Sequence, residues 1–168
     1  ENDKAIFYLN SALEIEPDDA QLIGTLAMIY NGMQEFEKSD SLYERSLELK
    51  PDDPLLSNNY AYSFATRNIQ LERALKMVKI SIAADSLNSS YLDTIGWVYF
   101  MLGNYSEAKL YLEKAIEVGG ESSVMLDHLA DTESKLGNKE EAIKLWKKSL
   151  ELDPTKIEIQ NKIDKGAI

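Results

Sequence analysis

The sequence predicts an all-α fold, an array of helix hairpins stacked one upon the next, and three observations lead there. A segment repeats: Gly103-Asn104-Tyr105-Ser106-Glu107-Ala108 returns as Gly137-Asn138-Lys139-Glu140-Glu141-Ala142, a period of 34 residues. Four prolines and eight glycines are spaced rather than clustered, and they leave long stretches rich in Leu, Ala, Glu and Lys, which favour helix. Small residues also recur at fixed slots, where two helices of a hairpin can approach closely only if neither side chain is bulky.

Residues 1–19 read as the second helix of a truncated unit. Ala5, Leu9 and Ala12 stand there in the slots that Ala108, Leu112 and Ala115 hold later. The first half of that unit is missing, and with Glu1 at the front this predicts a fragment of a parent that extends further toward the N-terminus.

Full units follow at 20–53, 54–88, 89–122 and 123–156. Their seventh slots read Leu26, Tyr60, Ile95 and Leu129, and the small eighth slots read Ala27, Ala61, Gly96 and Ala130. In the second helices Ser39, Ala74, Ala108 and Ala142 hold the small crossing position. Tyr43, Val78, Leu112 and Trp146 come four residues on, and Ser46, Ser81, Ala115 and Ser149 are small again. Pro51, Ser86, Gly120 and Pro154 mark the unit ends; proline lacks a donor, and Gly119-Gly120 offers a left-handed cap. The unit at 54–88 needs one residue more than the others, near Ile69-Gln70, and a turn absorbs such an insertion at little cost. Residues 157–168 predict a capping helix, with Ile157, Ile159 and Ile163 turned toward the last hairpin and Lys156, Glu158, Gln160, Lys162 and Lys165 toward water.

These slots and this period resemble the tetratricopeptide repeat (TPR) family. The eleventh slot carries the family's aromatic in Tyr30, Phe64 and Tyr99 and departs from it at Glu133. The resemblance implies an α-α superhelix, a right-handed solenoid of antiparallel hairpins whose first helices line a concave groove. The short loops and regular units are similar to bacterial members.

Composition excludes several function classes. There is no cysteine, so neither disulfides nor thiolate metal sites are possible. A formal charge of −11, with 20 acids against 10 bases in residues 1–122, lacks the basic stripe that a nucleic-acid binder needs. No apolar run is long enough to insert into a membrane. The acids either serve solubility or form a face that attracts basic partners. The compartment stays open.

Catalysis is not expected, nor is a cofactor or a metal. His128 is the only histidine, with Asp127 and Asp131 near it in sequence but no strained nucleophile elbow, and it reads as an ordinary exposed helix residue. The glycines form no phosphate-cradling pattern. Asp18-Asp19, Asp52-Asp53 and Glu140-Glu141 stand at helix starts, where carboxylates complement the helix dipole.

The resemblance instead implies a partner-binding groove. Carried over slot by slot, it comprises Met28; Asn58, Asn59 and Tyr62; Asp93, Thr94, Trp97 and Met101; and Asp127, His128 and Asp131. Asn58 and Asn59 suit a peptide backbone, since an amide both donates and accepts. Tyr62, Trp97 and Phe100 either meet a ligand or pack on neighbouring helices. Apolar anchors with a basic residue suit the aromatics and the three aspartates. Chaperone-binding members of the family grip a carboxylate with bases at the second and sixth slots. Here these read Gln21, Leu55, Ser90 and Val124, then Thr25, Asn59, Thr94 and His128, which disfavours an acidic chaperone tail. The expected function is a protein-interaction scaffold holding a peptide or helix of a partner. Two alternatives are a recruitment module of a larger enzyme, such as a glycosyltransferase or signalling kinase, and a self-assembling scaffold.

Overall fold

Capping side chains set where four of the helices begin. Asp19 accepts from the backbone N–H groups of Gln21 and Leu22, Asp53 from Leu55 and Leu56, Asn88 from Ser90 and Tyr91, and Ser122 from Met125. Each cap satisfies donors that a helix start leaves without partners and contributes about 1 kcal/mol. Pro54 adds a fixed φ at the first helical position.

The computed structural model describes residues 1–166 and 168, and among them it contains ten α-helices. These are α1 Asn2–Ile15, α2 Ala20–Gly32, α3 Phe36–Leu49, α4 Pro54–Thr66, α5 Leu71–Ala84, α6 Ser89–Met101, α7 Tyr105–Gly119, α8 Ser123–Lys135, α9 Lys139–Leu152 and α10 Ile157–Lys165. The hairpins α2–α3, α4–α5, α6–α7 and α8–α9 are the most extensive contacts. The first helices α2, α4, α6 and α8 also touch in succession, while among the described residues the second helices make no comparable contact with one another. That asymmetry curls the array into an all-α superhelix with the first helices inside.

The small slots do what close packing requires. Ala27, Ala61 and Ala130 are fully buried, as are Ser39, Ala74, Ala108 and Ala142 on the facing helices. The buried serines of the second helices each find a backbone carbonyl: Ser39 donates to Ala27, Ser46 to Tyr43, Ser81 to Pro54 and Ser149 to Ser123. At Gly96 an added Cβ would stand 2.7 Å from Leu112 Cγ, so only glycine lets α6 and α7 approach this closely. Gly119 acts similarly, because a Cβ there would meet Ser89 Cβ at 2.4 Å. Gly120 has φ +81 and ψ 177, a glycine conformation distinct from the left-handed helical cap expected for it.

An aromatic stack fills the core of the first two units. Tyr43 lies over Tyr60 at 4.7 Å between centroids, and Tyr60 lies 4.1 Å from Phe64. Arg73 covers this stack, and its two terminal nitrogens donate to the two carboxylate oxygens of Glu44, at 2.6 and 2.7 Å. Tyr60 Oη donates to the same carboxylate. Burial pushes the Tyr43 and Tyr60 hydroxyls well above the usual tyrosine range, and the Glu44 hydrogen bond adds to this at Tyr60.

The turn between α4 and α5, Arg67 to Gln70, is one residue longer than its counterparts at 33–35, 102–104 and 136–138, and Asn68 and Gln70 both take positive φ in it. Glu133, which replaces the aromatic, is buried. Lys109 Nζ reaches one of its oxygens at 2.7 Å and Asn138 Nδ2 donates to the other at 2.6 Å, so an ion pair and an amide do the work of a ring. On α10, Ile159 is fully buried and Ile163 partly so, but Ile157 is 73% exposed. The expectation for Ile157 is corrected. Ile159 and Ile163, four residues apart, share one face of the helix, and Ile157, two residues before Ile159, lies on the opposite side.

Candidate partner-binding groove

The side chains expected to line the groove occupy four parallel helices. Met28 comes from α2; Asn58, Asn59 and Tyr62 from α4; Asp93, Thr94, Trp97 and Met101 from α6; and Asp127, His128 and Asp131 from α8. A cleft of about 310 Å³ brings together Asn58, Asn59, Tyr62, Asp93 and Thr94 from that set. Ser90, Ser122, Val124 and Met125 complete it. Met28, half exposed, lies outside the cleft, as do Trp97, Met101, Asp127, His128 and Asp131.

Polar groups in the cleft are unevenly satisfied. Asn58 is 6% exposed; its Nδ2 donates to Asn59 Oδ1 at 3.3 Å, and its Oδ1 has no partner. A buried acceptor left unpaired costs stability. The Tyr62 hydroxyl is pushed up to about 12 by burial and by the charges of Asp93 and Asp127, so it stays a donor at neutral pH. Val124, 38% exposed, gives the cleft an apolar contact open to solvent, and Leu55, 47% exposed, stands on α4 outside it.

The aspartates are not free. Asp93 accepts from His128 Nδ1 at 2.9 Å, and both residues are buried. His128 therefore departs from the exposed residue expected: its partner is Asp93, not Asp127 or Asp131, and its ring stacks on Trp97 at 4.1 Å. Trp97 stacks on Phe100 at 4.6 Å on its other face, and its Nε1 is unpartnered. Both rings are thus packed within the array, Phe100 buried and Trp97 partly so. Met101 packs against the same core.

The other two carboxylates are held by a residue that slot-counting leaves outside the groove. Lys162 Nζ, from α10, donates to Asp127 Oδ1 and to both oxygens of Asp131, each at 2.8 Å. Asp131 also accepts from the buried Trp146 Nε1 at 2.9 Å. Burial and the charge of Asp127 raise the Asp131 pKa, opposed by Lys162. Burial alone would lower the Lys162 pKa, but the charge of Asp131 and the hydrogen bonds with both carboxylates outweigh it and leave it raised. An expected attraction of the three aspartates for a basic ligand is therefore corrected: the chain supplies their donors itself. The sequence carried one clue, the separation of 35 residues in both Asp93–His128 and Asp127–Lys162.

Two profiles described as tetratricopeptide repeat match residues 89–119 and residues 20–53 and 125–156, more than half of the chain together. The chain is a tetratricopeptide repeat protein. A TPR repeat-containing protein of Pseudomonas aeruginosa is 20% identical over 70% of this chain, and a heat-shock cognate co-chaperone of Aspergillus fumigatus is 28% identical over 72%. The aligned regions span only 20% and 35% of those two relatives. Among solved structures, a thermophilic TPR protein of Thermus thermophilus superposes with a TM-score of 0.80 at 19% identity, over 98% of this chain and 90% of that one. PilW, a type IV pilus biogenesis factor, superposes at 0.82 and 20% identity, over 98% and 78%. At these identities the structural likeness shows the TPR fold alone. Among the described residues no helix is long and apolar enough to cross a membrane.

Proposed function

We propose that this TPR chain is a protein-interaction scaffold that holds an extended, uncharged segment of a partner in the cleft between α4, α6 and α8. One observation carries the reading: a cleft between these helices gathers the side-chain amides of Asn58 and Asn59 and the Tyr62 ring with the exposed apolar side chain of Val124. A peptide backbone offers carbonyls to the Asn59 amide and to the Tyr62 hydroxyl, whatever its sequence. Val124 and Met125 give the apolar anchors that dominate binding energy. A basic anchor has less support, because Asp93, Asp127 and Asp131 already have donors. An acidic chaperone tail has little support, because the second slots Gln21, Leu55, Ser90 and Val124 hold no cation and the sixth-slot His128 is engaged by Asp93.

The test is capture of partners by the immobilised chain. Tyr62→Ala and Val124→Asp are each expected to weaken capture at least about tenfold, equivalent to about 1.4 kcal/mol, while Leu110→Ala on α7 leaves it unchanged. Equal capture by all three variants would show that the groove is not the binding surface.

A further inference from the structure

The pairing of Lys162 recurs from an earlier position in the array. His128 reaches back 35 residues to Asp93, and Lys162 reaches back 35 residues to Asp127. The two rungs differ in what carries them. His128 belongs to α8, which has α7 before it and α9 after it, whereas Lys162 belongs to α10, which packs on α9. Helix α10 has nine residues and one fully buried side chain, Ile159, with Ile163 partly buried beside it. A helix this short is marginal without its contacts, so its docking rests on Ile159, Ile163 and the Lys162 bridge. The surface beneath is built for those three groups. Asp131 is oriented by Trp146 Nε1, and Lys162 sits 2.8 Å from three carboxylate oxygens with its side chain 21% exposed.

We propose that the end of the array formed by α8 and α9 is a docking surface for a lysine-bearing amphipathic helix, filled in cis by α10, and that a partner helix with the same pattern binds by replacing it. The pattern is an apolar residue followed by Lys and an apolar residue three and four positions on, as in Ile159, Lys162 and Ile163. Asp127 and Asp131 take the ammonium, and the wall that covers Ile159 takes the first apolar residue. This goes beyond the groove reading, since it uses the end of the array and a helical, cationic ligand.

The probe is a fluorescein-labelled peptide of residues 154–166, titrated against the full chain by anisotropy. Wild type is expected to bind weakly, because a tethered helix competes at an effective concentration in the millimolar range. I159S/K162A, which releases the helix in cis, is expected to bind at least about tenfold tighter. K162A alone, which leaves every apolar contact in place, is expected to show the same direction with a smaller change. Adding D127N/D131N to K162A should remove that gain, and a peptide carrying Lys162→Met should show none. Equal binding by wild type and both released variants, or binding that survives D127N/D131N, overturns the proposal. Tyr62→Ala should leave peptide affinity unchanged, so failure of the groove and failure of this docking end are separate results.

Discussion

His128 Nδ1 donates to Asp93 Oδ1 at 2.9 Å across 35 residues of chain, and the pair ties the third repeat to the fourth in the interior. Both residues are 6% exposed, so solvent does not replace either partner. Asp93→Leu leaves a buried N–H without an acceptor and is expected to cost about 1–3 kcal/mol in urea unfolding. Asp93→Asn keeps an acceptor at the same position and should cost clearly less. Equal losses would mean that the hydrogen bond is not what holds the rung.

Gly96 tests the small crossing slot. Gly96→Ala places a Cβ against Leu112 Cγ and is expected to destabilise by about 1–3 kcal/mol, seen as a lower Tm. Leu112→Ala destabilises on its own by cavity formation, but combined with Gly96→Ala the loss should fall short of the sum, because the clash disappears. An additive double variant would place the strain elsewhere.

Glu133 offers a repair experiment. Lys109→Met strands a buried carboxylate and is expected to cost about 1–3 kcal/mol. Glu133→Phe, which restores the aromatic found in the other three repeats, should recover most of that loss in the Lys109→Met background. If Glu133→Phe instead worsens the Lys109→Met variant in thermal melts, the slot is shaped for the ion pair and not for a ring.

The repeat was readable because its signals are local and periodic. Ala27, Ala61, Gly96 and Ala130 recur at almost constant spacing, and each is small for the same steric reason. The Asp19 and Asp53 caps are one-residue signals that depend only on the helix they start. The groove was less readable because a slot count gives a side chain's direction and not its partner. The slot count assigns Asp93, Asp127 and Asp131 to the inner face, but whether they are free depends on His128 and Lys162, more than 30 residues away. Trp97 likewise has an inward slot and two neighbours, Phe100 and His128, that close over its ring faces.

Alkaline pH should unfold the chain through its buried tyrosines. Folded Tyr43 and Tyr60 have pKa values raised by burial above the ordinary 10.0, whereas the unfolded chain ionises near that value. A raised value contributes stability that is complete below pH 10.0 and is lost as pH climbs toward the folded value. Tm is therefore expected to fall above about pH 10, with tyrosinate absorbance from these residues rising together with unfolding. Tyr43→Phe should flatten the decline. Tyrosinate formation that is complete before the far-UV signal changes would contradict this.

The most direct measurement of the central claim places a photo-crosslinking amino acid in the full chain at Asn59, in the cleft, or at Leu110, exposed on α7. After irradiation in the presence of captured partners, the account predicts adducts from position 59, lost when Tyr62→Ala is added, and none from position 110. Adducts from position 110 with none from position 59 would contradict it and move partner binding off the inner groove.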